Sequence, residues 1–252
     1  FGSPLAGVAA AVAAGALLAL IHAFLTVTLR ANQVVSGLAV TLFGTGLSGY
    51  LGQDYVGQPA GAVFGKIAVP LLSDIPIIGS ILFKQDALVY ISYFLVPLAA
   101  WYFYKTRSGL FLRAMGENPA AVDAAGINVF GLRYLYIVVG GALAGVAGAY
   151  LSLAYAPSWL ENMTAGRGWI AVALVIFALW DPWRAMAGSY LFGGIDALGF
   201  NLQVLGVPVS GFILNMLPYI FTVLVLVLVL KRRGGRSASP QALGLSYDRE
   251  ER

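Results

Sequence analysis

The stretch Tyr134-Leu-Tyr-Ile-Val-Val-Gly-Gly-Ala-Leu-Ala-Gly-Val-Ala-Gly-Ala-Tyr-Leu-Ser-Leu-Ala154 decides the class of fold. It holds 21 residues and no charged side chain, and about 20 apolar residues are what a helix needs to cross the hydrocarbon core of a bilayer. Within it Gly141 and Gly145, and Gly145 and Ala149, sit four apart, a spacing that lets membrane helices bring their backbones together. Ser189 and Gly193 repeat that spacing further along.

Working outward, six more apolar runs can be drawn: Leu5 to Thr28, Val34 to Leu51, Ala87 to Tyr104, Gly168 to Trp180, Ala185 to Asn201 and Phe212 to Leu230. The whole chain is 60% hydrophobic and 10% charged, where a soluble domain carries roughly 25% charge. The expected fold is therefore all-α: a polytopic transmembrane helix bundle of about seven spans over residues 1–231. The runs ending at Trp180 and starting at Ala185 are short, with only Asp181-Pro182-Trp183-Arg184 between them. They read as a tight hairpin or as one broken helix. The loop from Gly52 to Asp86 mixes Pro59, Pro70 and Pro76 with the apolar run Ile75 to Phe83, which fits a short interfacial helix. Residues 232–252 turn to Gly, Ser, Pro and charge and are expected to be a disordered cytoplasmic tail.

Basic residues fix the orientation, because Lys and Arg concentrate in cytoplasmic loops. With the C-terminus inside, twelve of the fifteen fall inside: Arg30, Lys105, Arg107, Arg113, Arg133, Arg184, Lys231, Arg232, Arg233, Arg236, Arg249 and Arg252. Lys66, Lys84 and Arg167 fall outside. The same assignment puts residue 1 outside. The chain starts at Phe1 without a basic flank or cleavage site, and additional spans are expected ahead of it.

Composition also excludes chemistry. There is no cysteine and a single histidine, His22, so thiolate sites, disulfides and His-cluster metal sites are ruled out, and no cofactor is expected. A net charge of +4 distributed over loops is what membrane orientation produces, and nucleic acid is not expected as a partner. The segment Gly61 to Lys66 lacks the glycine spacing and the following Ser or Thr of a phosphate-cradling loop. Energy for any pumping would have to come from a separate polypeptide. A proton-coupled carrier would need several buried ionisable groups, and only Asp196 and Asp181 qualify. An intramembrane enzyme would need paired acids, a metal cluster or a Ser/His arrangement, and His22 has no evident partner.

The run Leu5 to Thr28 is Ala- and Gly-rich, ends at a polar link (Arg30, Asn32, Gln33) and is followed by a Val- and Gly-rich run. Tyr134 to Ala154 does the same, with the link Ser158, Glu161, Asn162, Thr164 and Arg167. The charge assignment gives the two units opposite senses, the pattern of inverted repeats whose polar breaks meet a solute near the midplane. Asn32, Gln33 and Ser36 at the first break, Asn162 and Thr164 at the second, Asp196 and Asn215 are the candidates for lining such a path. Each has a structural alternative: interhelical hydrogen bonds for the first three, exposure to outside water for Asn162 and Thr164, an ion pair with Arg167 for Asp196, and repair of the backbone freed by Pro218 for Asn215. His22 reads as a packed, neutral histidine.

The remaining signal lies in the inside loop, Gly109-Leu-Phe-Leu-Arg-Ala-Met-Gly-Glu-Asn-Pro-Ala-Ala-Val-Asp-Ala-Ala-Gly-Ile-Asn-Val129. Asn118 can cap a helix, Pro119 suits its first position, Asp123 lies within it, and Gly126 is placed to end it. A helix of about seven residues rarely persists alone, so it needs something to dock against: a cytoplasmic partner is the economical explanation, and a re-entrant connector is the alternative. The run Leu112 to Asn128 resembles the coupling loop of ABC importer permeases of the branched-chain amino acid, ribose and nucleoside group. Arg30-Ala-Asn-Gln-Val-Val-Ser-Gly and Met216-Leu-Pro-Tyr-Ile-Phe-Thr-Val-Leu point the same way, the latter toward the nucleoside and simple-sugar branch.

The resemblance implies a permease in the plasma membrane of a prokaryote, not itself an enzyme, moving a small polar nutrient such as a nucleoside or simple sugar. Branched-chain amino acids and an ion-coupled carrier remain the alternatives. The partners implied are a cytoplasmic ABC ATPase, a second or paralogous permease, an extracytoplasmic binding protein or lipoprotein, and the lipid bilayer. Arg113, Glu117, Asn118, Pro119, Asp123, Ala124 and Gly126 would then face the ATPase.

Overall fold

The computed structural model describes residues 2–76, 78–164, 166–205 and 239–249, together with positions 213, 216, 217, 219, 220, 223, 224 and 227. The run Phe212 to Leu230 therefore lies largely outside the described residues, as does Asn215. The chain divides into two compact units, Phe1–Phe94 with Phe111–Ala165 and Ala242–Arg252, and Leu95–Leu110 with Gly166–Gln241.

In the first unit α1 (Pro4–Ala23) continues into a π-helical turn, Phe24–Thr28, and α2 (Gln33–Gly52) follows after a short link. Proline occupies the start of α1, where its missing N–H costs nothing. Asn32 begins α2 by accepting hydrogen bonds from the Val34 and Val35 amides at 3.0 and 3.1 Å. Beyond α2 a two-stranded antiparallel hairpin, β1 (Lys66–Ala68) with β2 (Lys84–Asp86), encloses α3 (Ile78–Leu82). The expected short helix is present; the strands were not anticipated. Asp86 then caps α4 (Ala87–Lys105), its Oδ1 accepting from Leu88 and Val89.

The segment after α4 carries α5 (Arg107–Glu117) and α6 (Pro119–Ala124), and leads into α7 (Val129–Tyr150), which ends like α1 in a π-helical turn, Leu151–Tyr155. α1 and α7 pack antiparallel along their length. Gly15 lies against Gly141 and Gly145, Gly141 against Ala19, and Gly145 against Ala11, so that a methyl group at Gly15 or Gly145 would overlap backbone of the facing helix. This is the close approach the small-residue spacing predicts. In lipid, where apolar surface gains nothing by leaving its solvent, such contact is the main attraction available. Ser189 and Gly193 show no such contact among the described residues, where Gly193 has nothing within 4 Å of its Cβ direction.

In the second unit α8 (Arg167–Ala178) and α9 (Pro182–Val204) form a helical hairpin. Leu179 and Trp180, both at positive φ (57° and 58°), reverse the chain, and Asp181 caps α9 through the Arg184 amide at 3.0 Å. Gly188 lets α9 approach Phe177 and Leu174 of α8. α8 has 12 residues, about 18 Å of helix, short of the roughly 30 Å hydrocarbon core. Among the described residues, four helical segments are long and apolar enough to cross a membrane: Pro4–Thr28, Gln33–Tyr55, Ala87–Lys105 and Val129–Tyr155. Their outward residues are bare, with Leu42 74% and Phe94 73% exposed, a surface that requires an apolar solvent.

Candidate functional site

The loop between α4 and α7 folds as its residues dictate. The Asn118 side chain accepts the Ala121 amide at 3.1 Å, and Pro119 takes the first helical position. At the other end Gly126, at φ 82°, donates to the Asp123 carbonyl at 2.9 Å while Ile127 donates to that of Val122 at 3.3 Å. Those two bonds form the glycine-terminated motif that satisfies the last carbonyls of a helix. Asn128 opens α7 by accepting from Gly131 at 2.9 Å.

α6 has a covered side and an open one. Val122 (4% exposed) joins Met115, Val129 and Tyr247 in a small apolar core, and Asp123 is buried beside it. Arg113, Glu117, Asn118, Ala121, Ala124, Ala125 and Gly126 are exposed, and Pro119 is half-buried. Of the coupling residues the sequence singles out, Asp123 alone faces inward.

What covers Asp123 is the C-terminal segment. Tyr247 donates its hydroxyl to Asp123 Oδ2 at 2.9 Å, and Arg249 grips both carboxylate oxygens, Nε to Oδ2 at 2.9 Å and Nη2 to Oδ1 at 2.5 Å. Hydrogen bonding to Asp123, and then its charge, hold the Arg249 guanidinium above its ordinary pKa. The same segment reaches the link between α1 and α2, where Arg30 pairs with Asp248. Leu245 offers its carbonyl to Arg133 at 3.1 Å and to Gln33 at 3.5 Å. Of the tail expected to be disordered, residues 239–249 are described, and they are placed by these contacts: Tyr247 packs in an apolar pocket and Asp248 and Arg249 both find partners. Part of the dock of α6 is therefore its own chain, and its open face is left for a partner.

The candidate path residues do not converge. Asn32 is an exposed helix cap, Gln33 touches the tail, and Ser36 is buried with its hydroxyl 2.9 Å from His22 Nδ1. Asn162, at φ 55°, and Thr164 are exposed at the other end of the unit, where neighbouring Trp159 and Glu161 pack beside Gly52 and Gly49 of α2. From Gln33 to Gly49 is about 24 Å of helix. Between them the sequence reading missed Thr41 and Thr45, exposed hydroxyls on α2 that bond back to the Gly37 and Thr41 carbonyls at 2.8 and 2.9 Å. Their spacing of four from Gly37 was the available signal. Asp196 in the second unit does pair with Arg167, at 3.9 Å with both side chains about two-fifths exposed. Among the described residues no cluster of three His, Asp or Glu side chains is placed to hold a metal.

Comparison with known proteins matches these features to transport. The family model described as the branched-chain amino acid transport system permease component matches residues 1–230. The chain is 39% identical to a putative glucose ABC transporter permease of Haloferax volcanii, over 97% of this chain and 81% of that one. It is 40% identical to a nucleoside ABC transporter permease of Lactococcus lactis, over 92% and 74%, and 33% identical to a guanosine ABC transporter permease of Bacillus subtilis, over 97% and 78%. No solved structure matches. With a family match over nearly its full length and apolar helices to go with it, the chain belongs to the branched-chain amino acid transport permease family of multi-pass membrane proteins.

Proposed function

We propose that this chain is the permease subunit of an ATP-driven ABC importer and forms the membrane path for a nucleoside or simple sugar. The observation that carries the reading is α6, capped at both ends and presenting Ala121, Ala124, Ala125 and Gly126 on an open face. Small side chains on a short, rigid helix suit insertion into a groove of a cytoplasmic ATPase, which would hydrolyse ATP on the permease's behalf. The named solutes of the Haloferax, Lactococcus and Bacillus relatives support the nutrient class. A second or paralogous permease and an extracytoplasmic binding protein or lipoprotein complete the proposed assembly.

In this reading Arg30, α6, Arg133 and the C-terminal segment face the cytoplasm, in line with the basic-residue count, and the loop from Gly52 to Asp86 faces outward. About seven spans arranged as inverted repeats fit the matching ends of α1 and α7: each closes in a five-residue π turn, and the link beyond each holds a residue at positive φ, Arg30 at 54° two residues after the first turn and Asn162 at 55° seven residues after the second. Asn32, Gln33 and Ser36 would line the inner mouth and Asn162 and Thr164 the outer one, with the Thr41 and Thr45 face of α2 between. Asp196 and Asn215 remain candidates for the same path.

The test is uptake of radiolabelled guanosine, glucose and leucine into cells expressing the chain with its ATPase and binding protein. ATP-dependent uptake of guanosine or glucose, competed by its own class, is the expected result. Uptake of leucine alone would move the solute to amino acids, and uptake driven by a proton gradient without the ATPase would replace the importer by a carrier.

A further inference from the structure

The segment after Gln241 does more than end the chain. Its Ala242 amide bonds the Gly116 carbonyl at the end of α5 at 2.9 Å, and Tyr247 packs against Phe130 of α7 with ring centroids 5.8 Å apart. Tyr247 and Arg249 hold Asp123 of α6, Leu245 takes donors from Arg133 and Gln33, and Asp248 pairs with Arg30. One stretch of eight residues therefore touches α5, α6, α7 and the link between α1 and α2. The Asp123 carboxylate, 4% exposed, shows how closely α6 and this segment depend on each other. Burying a carboxylate is costly unless it is hydrogen-bonded, and Tyr247 and Arg249 of this segment both donate to it. The segment also leaves the open face of α6 uncovered, so it does not compete for that face.

We propose that residues 242–249 are a clasp that positions α6 against the link between α1 and α2, so that movement of α6 is delivered to Arg30 and Gln33. Tyr247, Asp248 and Arg249 are its positioning residues. The proposal rests on α6 being the ATPase dock, and it adds the route by which that dock reaches the inner mouth of the path. The core of Val122 and Val129 already ties α6 to α7. The clasp adds a direct tie from α6 to the link, made at three charged or hydrogen-bonded points on one short segment.

The experiment uses the full chain with its ATPase and binding protein in proteoliposomes and reads solute transported per ATP hydrolysed, together with ATPase retention. Tyr247→Phe combined with Arg249→Gln should lower that ratio by about fivefold or more, the size of a typical coupling between sites, while the ATPase is retained and the solute KM is unchanged. Arg249→Lys should recover part of the loss. Arg30→Asp and Asp248→Arg should each lower the ratio, and the two together should restore it; these groups suffice should the first variant fail to insert. An unchanged ratio in all of them overturns the clasp, and so does a parallel rise in ATPase retention and uptake, which would make the segment a competitor. Docking is read separately by a short bismaleimide joining Ala31→Cys to Ser246→Cys in the otherwise cysteine-free chain. Cross-linking in a protein that neither holds an ATPase nor transports would locate the failure in the importer reading, whereas absence of cross-linking in a transporting protein would locate it in the clasp.

Discussion

The interface between α1 and α7 and the cluster around α6 solve opposite problems. The first is built from Gly15, Gly141 and Gly145, with backbones in contact and no charge. The second is built from helix caps, one buried aromatic residue and a carboxylate gripped by a guanidinium. In a membrane, shape is the attraction at hand and small residues supply it. In a loop in water, shape alone leaves a short helix frayed, and capping and charge supply the difference. The comparison teaches that substitutions should act through size in one region and through hydrogen bonding or backbone conformation in the other.

The sharpest break is Gly145→Leu. Its side chain would overlap the Ala11 backbone, and overpacking of this kind costs about 3 kcal/mol; detergent-solubilised protein should unfold at a clearly lower temperature. Gly148→Ala, three residues on with nothing within 4 Å, should leave the melt unchanged or raise it slightly. Equal losses from both would show that the interface does not depend on close approach.

Gly126→Val comes next. At φ 82° a side chain costs roughly 1–2 kcal/mol, and here the loss should be one of transport coupling with the membrane level of the protein unchanged. A simple loss of protein would remove the distinction between the two regions.

How far these differences were legible depended on the range of the interaction. The apolar runs placed α1, α2, α4 and α7 to within a few residues, and Asn118, Pro119 and Gly126 marked both ends of α6, because spans and caps are local. The helix α5 was read as loop: Arg107, Arg113 and Glu117 make it too polar for a span, and its cap, Thr106, which accepts the Gly109 amide at 3.0 Å, was overlooked. β1 and β2 are three residues each, too short for alternation to register. The ordered tail was missed for a different reason. Its composition averages to Ser, Gly and charge, while what orders it is Tyr247 and Arg249 meeting Asp123 across 124 and 126 residues. An isolated acid in the alanine-rich α6 was the one clue that a cation had to come from elsewhere. For the path, polarity could be read but placement could not, since Asn32 spends its side chain on capping and the two breaks sit at opposite ends of α2.

Helix caps give the smallest effects and sharpen the comparison from the polar side. Asn118→Ala should cost about 1 kcal/mol, seen as faster amide exchange confined to α6. Asp181 makes a similar contribution to α9. Its pKa is held below the usual carboxylate value, chiefly by the Arg184 amide and further by the hydroxyl of Tyr104. A lowered folded-state pKa means that its contribution is present above the unfolded value and lost as pH falls through the folded one. Asp181→Asn should flatten that acid-side loss in the exchange of the first turn of α9, and an unaltered pH profile would show that the cap is not ionised there.

The most direct test of the central claim, that the open face of α6 is where an ATPase binds, is co-purification of the ATPase with Ala124→Glu from detergent, with membrane level checked in parallel. Ala124 is exposed on that face, so the variant should insert normally. Buried against a partner with no compensating group, the new carboxylate would cost several kcal/mol. Loss of the ATPase at normal permease level is the predicted result; normal retention together with normal uptake would contradict the assignment of α6 as the dock.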